Sequence, residues 1–157
     1  MDSMSSSTAH TDEYFMQYAL EQAKAAEELG EVPIGAIVVV DDEIIASAHN
    51  RRETDNDPTS HAELLAIRQA ARDLERWRLT GATVYVTLEP CPMCAGSMHQ
   101  ARIDRCVYAA VDPKTGALGT LYDIHSDERL NHQFEVKSGV LADESAALLK
   151  NFFVARR

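Results

Sequence analysis

The chain has 157 residues, 45% of them hydrophobic and 25% charged, enough for one compact domain with its own core and too few for two. Fifteen basic against 25 acidic residues give a net charge of -10, which excludes a surface that binds nucleic acid indiscriminately, because phosphates call for clustered Lys and Arg, while leaving room for a local basic patch. Three cysteines, Cys91, Cys94 and Cys106, make no disulfide framework, and the longest apolar run, Ile34 to Val40, falls far short of the ~20 residues of a membrane span, so a cytoplasmic protein in a reducing compartment is expected.

The Ser-rich start lacks the apolar centre of a signal peptide, so residues 1–11 are expected to be a disordered leader. Thr11 or Asp12 then caps a helix running to about Leu29. Phe15, Ala19, Ala23, Ala26 and Leu29 recur every three or four residues as its buried stripe, and Gly30 ends it. Pro33–Val40 and Ile44–Ala48 are β-branched runs joined by Asp41-Asp42-Glu43, which predicts an antiparallel hairpin. The stretch Arg51–Asp57 is polar and aperiodic. Asp57-Pro58 has the form of a helix start, an Asp cap followed by Pro, and predicts a second helix from there to about Leu74. Gly81 opens a third strand, Ala82–Leu88; Pro90 ends it, and Pro92 begins a short helix to about Ala101. A fourth strand, Arg105–Ala110, is followed by the turn-rich loop Asp112–Gly119 and a weakly helical or irregular piece over Leu121–Arg129. Phe134–Val140 predicts a fifth strand, and Asp143–Arg157 a last helix burying Leu148, Leu149, Phe152 and Phe153. Strands alternating with helices after an opening hairpin predict an α/β fold, a mixed five-stranded sheet covered on both faces.

The chemistry is concentrated in two pieces, Pro58-Thr59-Ser60-His61-Ala62-Glu63 and Glu89-Pro90-Cys91-Pro92-Met93-Cys94. One imidazole and two thiolates suit zinc, and three protein ligands leave a fourth position for water or hydroxide. Zinc lowers the pKa of such a water toward about 7. Cys91 and Cys94 lie at a helix start, where backbone N–H groups and the dipole favour thiolate. Taken alone, C-x-x-C equally describes a redox pair or half of a structural zinc knuckle, and a lone His61 a helix-end hydrogen bonder. Ser60-x-x-Glu63 likewise fits a capping box, although the earlier Asp57-Pro58 start frees Glu63 to act as a base. Residues two apart on a helix point about 200° apart, so for His61 and Glu63 to meet one metal it must lie over the helix N-terminus, with the Cys91 helix presenting its own start to the same point.

His61-Ala62-Glu63 with Pro90-Cys91-Pro92-Met93-Cys94 resembles the zinc nucleobase deaminase superfamily, whose signature is an established one. Glu31-Val32-Pro33-Ile34-Gly35-Ala36, Asn50, Asp57-Pro58-Thr59-Ser60, Tyr85–Glu89, Asp112–Ala117, Leu130-Asn131-His132 and Gly139–Glu144 narrow the likeness to the bacterial tRNA adenosine deaminases, across residues 12–157. The resemblance implies a cytidine deaminase-like three-layer α/β/α domain over residues 12–157. It implies one Zn2+ per subunit on His61, Cys91 and Cys94, with Glu63 as the catalytic proton shuttle. The substrate would be adenosine at the first anticodon position of the tRNA anticodon stem-loop, released as inosine with ammonia, by a homodimer. Asn50 would fix the flipped base and Asp112 would contact the preceding nucleotide, through a ribose 2′-OH that separates RNA from DNA. Lys114, Phe153 and Arg156 would complete the substrate contacts, with Arg51, Arg52 and Arg157 as further phosphate partners. Val154 follows the paired Phe where that family often carries a basic residue. Two rival functions share parts of the pattern: a deaminase of free guanine, cytosine or adenosine would not need Asp112–Gly119 or the Phe-Phe-x-x-Arg tail, and a structural zinc module would need a fourth protein ligand.

Overall fold

The structure is a computed structural model that describes residues 9–156. The expected leader lies outside those residues as far as Thr8. His10 and Thr11 do not: His10 stacks on Tyr14 with ring centroids 4.0 Å apart and bonds the Asp42 carboxylate, Nδ1 to Oδ2, at 2.8 Å. Thr11 is the cap of helix α1 (Asp12–Glu28), its hydroxyl accepting from the Tyr14 amide at 3.1 Å.

Five strands form one sheet in the order β2-β1-β3-β4-β5. Strands β1 (Gly35–Val40) and β2 (Glu43–His49) make the expected hairpin, with Asp41 and Asp42 at φ 51° and 63°, the left-handed pair of a tight turn matched to strand twist. Strand β1 is also antiparallel to β3 (Ala82–Leu88), while β3, β4 (Arg105–Ala110) and β5 (Glu135–Lys137) run parallel. Each parallel connection needs a crossover, and α3 (Pro92–Ala101) supplies the one between β3 and β4. The fifth strand is shorter than the expected Phe134–Val140: Gly139, at φ 85°, turns the chain away from the sheet and donates to the Ala109 carbonyl instead.

Alternation along the strands sorts side chains onto two cores. Ala36, Val38, Val84, Val86, Cys106 and Tyr108 face α2 (Ala62–Leu74) and α3, meeting Ala66, Ile67, Ala70, Ala95 and Met98. Ile37, Val39, Tyr85, Val107 and Ala109 face α1, meeting Phe15, Met16 and Ala19. Helix α4 (Ala142–Ala155) lies on the same face as α1, pinned by the Ser145 hydroxyl donating to the Thr87 carbonyl at 2.5 Å. The result is the expected three-layer α/β/α arrangement. At Gly35 the helix α1 passes so close that a Cβ would meet the Ala19 carbonyl and lie 2.5 Å from the Ala23 nitrogen.

Two packing expectations are corrected. Leu29 is exposed: it is the C-cap of α1, beyond the last helical residue Glu28, and Gly30 (φ 80°) turns the chain directly after it. On α4 only Ser145 and Phe152 are buried; Leu148 and Leu149 are half-covered and Phe153 is 51% exposed, because its face turns to solvent rather than to the sheet. Of the two forms expected for Leu121–Arg129, helical or irregular, the chain takes the irregular one, a series of turns.

Candidate active site

The second helix starts later than Asp57-Pro58 suggests. Asp57 closes a turn on Thr59, taking its amide at 2.8 Å and its hydroxyl at 2.7 Å, and His61 beyond it is extended (φ -83°, ψ 150°). His61 is therefore the N-cap of α2, not a residue of its first turn, and Glu63 is the second helical residue. Cys91 is the N-cap of α3 with Pro92 directly after it, and Cys94 follows in the first turn. Neither His61 nor Cys91 makes a side-chain capping bond, and the Ser60 hydroxyl donates to Asp55 rather than capping, so no capping box forms. Two helix starts thus converge on one point.

At that point His61 Nδ1 lies 3.6 Å from Cys91 Sγ and 3.5 Å from Cys94 Sγ. Zinc bonds of about 2.3 Å to sulfur and 2.0–2.1 Å to nitrogen, at a tetrahedral angle, would set N and S about 3.6 Å apart. The donor set and its spacing fit zinc. Among the described residues these three form the only group of His, Cys and acidic side chains able to hold a metal ion together. Cys106 is fully buried on β4 and outside the group, and burial pushes its thiol well up.

The three candidate ligands shift one another's protonation. A hydrogen bond from Cys94, with help from His61, holds the Cys91 thiol down at about 4, whereas the neighbouring Cys91 sulfur and burial push Cys94 up. The Cys91 partner raises His61, against the opposing effect of its burial. Glu63 is 4% exposed beneath the same cluster, and burial raises its carboxyl to about 7. A carboxyl beside the ligand cluster is placed to take and return a proton.

A cavity of about 250 Å³ opens beside the cluster, at the ends of β2, β3 and β4 and the start of β1. Val32, Ile34 and Leu88 give it apolar walls, and Asn50, Arg52, Glu63, Asp112 and Thr115 polar ones. Asn50 is 5% exposed; its amide donates to the Val32 carbonyl at 3.3 Å and accepts from the Arg52 amide at 3.2 Å, leaving one N–H and one lone pair free. The Asp112 carboxylate folds onto its own loop, taking the Lys114 and Thr115 amides at 2.9 and 3.3 Å and the Thr115 hydroxyl at 2.8 Å. Asn50 and Asp112 are thus brought to the cavity with His61, Glu63 and Cys91.

Lys114, Phe153 and Arg156 are not. Lys114 is exposed on the loop outside the cavity lining. Phe153 projects from α4, and the Arg156 guanidinium rests 3.7 Å from the Phe152 ring centroid, held by its own helix end. Arg157 lies outside the described residues.

Two carboxylates next to the cavity are absent from the expected site. Glu31, 1% exposed, accepts from the Glu53 amide at 3.2 Å and from the Thr54 amide and hydroxyl at 2.5 and 2.6 Å. Burial opposes its ionisation, but the Thr54 and Glu53 donors outweigh that and lower its pKa. Glu89, 2% exposed, lines the cavity and holds the opposite loop. An acid in an otherwise apolar strand end, Leu88-Glu89-Pro90, was the available signal.

Comparison with known proteins agrees with this geometry. The zinc-binding region of cytidine and deoxycytidylate deaminases matches residues 9–110, which include His61, Glu63, Cys91 and Cys94. The tRNA-specific adenosine deaminase of Bacillus subtilis (strain 168) is 54% identical over 142 residues, 90% of this chain and 88% of that protein. The protein of the same name in Haemophilus influenzae (strain ATCC 51907 / DSM 11121 / KW20 / Rd) is 48% identical over 147 residues, 93% of this chain and 85% of its own. A solved structure from work on A-to-I editing by tRNA:A34 deaminases at the wobble position of transfer RNA superimposes with a TM-score of 0.84 at 46% identity, covering 87% of this chain and 99% of that one. The chain belongs to the zinc-binding cytidine and deoxycytidylate deaminase family and, within it, groups with the tRNA-specific adenosine deaminases.

Proposed function

We propose that this protein hydrolyses adenosine to inosine, with release of ammonia, at the wobble position of a tRNA anticodon stem-loop. The observation that carries the chemistry is the His61–Cys91–Cys94 cluster with the buried Glu63 beside a cavity of single-base size. The substrate class is supported by the relatives named tRNA-specific adenosine deaminase and by the tRNA:A34 deaminase structure. Held by His61, Cys91 and Cys94, zinc would supply Lewis acidity, making water nucleophilic near neutral pH. Glu63 takes one proton from the attacking water and gives it to the purine ring nitrogen, then takes the second from the hydroxyl now on C6 and gives it to the leaving 6-amino group as the C–N bond breaks, so that water and adenosine become inosine and ammonia. The free N–H and lone pair of Asn50 read the flipped base, and Val32, Ile34 and Leu88 exclude bulk water from it. Asp112 faces the preceding nucleotide, with Arg52 on the rim for a phosphate; Lys114, Phe153 and Arg156, outside the cavity, reach only the flanking strand.

Nothing among the helices is long and apolar enough to cross a membrane, in the described residues. A cytoplasmic homodimer is part of the proposal. The apolar residues of α3, Ala95, Met98 and Ala101, are used by the core. Exposed Val111, Leu121 and Tyr122 support a partner surface instead.

The test is to incubate zinc-loaded protein with an anticodon stem-loop carrying adenosine at the wobble position, beside free adenosine, guanine and cytosine, and to measure inosine and ammonia. Turnover of the stem-loop alone is expected. Turnover of a free base alone would overturn the tRNA assignment, and no turnover on any of them or on intact tRNA would favour a structural zinc module. Sedimentation gives the oligomeric state independently.

A further inference from the structure

Glu89 is sealed from solvent, and no Lys or Arg side chain bonds its carboxylate among the described residues. It is held instead by donors from both ends of one loop. Oε1 accepts from the Asp112 amide at 3.0 Å and from the Thr120 hydroxyl, and Oε2 accepts from the Leu118 and Thr120 amides, each at 3.1 Å. Four donors occupy the acceptor sites a carboxylate offers, so the anion is balanced by backbone and hydroxyl dipoles rather than by a countercharge. Between those ends Gly116 presses against the carboxyl: a Cβ there would fall inside contact with the Glu89 carboxyl group and 2.6 Å from the Asp112 carbonyl oxygen. The loop therefore wraps round this one side chain. Glu89 is itself fixed, since its amide extends the β3–β4 ladder to the Ala110 carbonyl at 2.8 Å, and the Pro90 carbonyl takes the Ala117 amide at 2.9 Å. Two residues further on is Cys91.

We infer that Glu89 is a positioning residue: it fastens the Asp112–Thr120 loop to the strand end that carries Cys91, and so sets the distance between the metal ligands and the substrate-facing Asp112 and Thr115. The consequence rests on the proposed function, in that the wall being placed is the one that meets the nucleotides. The carboxylate touches neither the reacting atoms nor the His61–Cys91–Cys94 cluster. Its loss should weaken substrate capture while leaving the chemical step of bound substrate nearly intact.

Glu89→Gln keeps the shape but turns an NH2 group toward the loop's N–H donors, leaving at least one backbone amide unpaired. Gly116→Ala drives a methyl group into the same contact from the loop side. Thr120→Val, on an exposed residue, removes only the hydroxyl and serves where Glu89→Gln fails to fold. Two readouts apply to each: backbone hydrogen exchange over Asp112–Thr120, which is independent of any substrate, and KM and kcat on the stem-loop. Faster exchange confined to that loop is expected, with KM up by roughly tenfold, kcat changed less than about threefold and zinc content unchanged. Combining Glu89→Gln with Gly116→Ala should add little to either alone, since both break one contact. Wild-type exchange rates in Glu89→Gln and Thr120→Val would overturn the clamp, as would a fall in kcat at unchanged KM. A wild-type protein inert on the stem-loop would sink the functional proposal while leaving the exchange result to decide the clamp.

Discussion

The four-way contact at Asp12 allows a stability prediction to be worked through. Its carboxylate lies at the start of α1 and reaches across to the sheet, taking the Tyr85 hydroxyl at 2.7 Å, Arg105 through two bonds at 3.0 and 2.7 Å, and Lys137 at 3.0 Å. The Asp12 side chain is 13% exposed, Arg105 28% and Lys137 52%. In Asp12→Asn the lysine rehydrates at little cost, as exposed pairs contribute about 0–1 kcal/mol. The two-pronged Arg105 contact, charge-assisted and mostly covered, contributes about 1.5–3 kcal/mol. A loss of about 2–3 kcal/mol follows, or a fall in Tm of roughly 4–12 °C for a chain of this size. The pH dependence has a definite sign. Arg105 first, then Tyr85 and Lys137 against the opposing effect of burial, hold the folded carboxyl far below its ordinary value. The contribution is therefore complete above the unfolded value of about 3.9 and drains away as pH falls below it. Urea titrations of both proteins at pH 7, 5, 4 and 3 should show a full gap at pH 7 and 5 that narrows from about pH 4 downward. A gap as wide at pH 3 as at pH 7, or under about 0.5 kcal/mol at pH 7, would refute the charge-based account.

Three further outcomes are expected. Glu63→Gln should lower kcat by about 10²- to 10⁴-fold, the usual worth of a proton shuttle, while metal analysis still finds one zinc per chain; lost zinc would make Glu63 a ligand. Cys106→Ser, which buries a hydroxyl in the α2–α3 core, should cost about 1–3 kcal/mol in urea unfolding yet leave zinc stoichiometric, and if the metal goes the three-ligand set is wrong. Gly35→Ala forces a methyl group into the backbone of α1 and should cost at least about 1–3 kcal/mol; an unchanged urea midpoint would mean α1 does not cross β1 so closely.

Much of the fold was legible because punctuation and periodicity agreed. Ala82–Leu88, Pro92–Ala101 and Arg105–Ala110 have the expected bounds; Gly81, Pro90 and Pro92 mark the first two, and the third is a short run buried almost throughout. The α2 start was misplaced because Asp57-Pro58 describes a turn and a helix cap equally well, and only the tertiary demand on His61 decides between them. Leu29 and Phe153 misled for another reason: a stripe predicts which face of a helix is apolar, not how far along the helix a neighbour extends. Within the site, His61, Glu63, Cys91 and Cys94 announce themselves by chemistry and spacing. Glu31 does not, and Glu89 shows only as an acid in an apolar strand end, since what a carboxylate bonded to loop amides does becomes visible only once the loop has been placed. Lys114, Phe153 and Arg156 stood out by residue type, and type carries no information about which way a surface side chain leans.

The empty cap positions of α2 and α3 have a consequence for folding. A helix start ordinarily quenches one of its free N–H groups with a Ser, Thr, Asp or Asn side chain, worth about 1 kcal/mol, and here both starts spend that position on a ligand atom instead. Neither helix closes its own end; His61 and Cys91 are drawn across the gap toward each other. A cation shared between them would act as a joint clasp, so that one binding event would secure two otherwise independent segments of secondary structure. Metal loading would then help to hold together the core between α2, α3 and the sheet, as much as arm an enzyme.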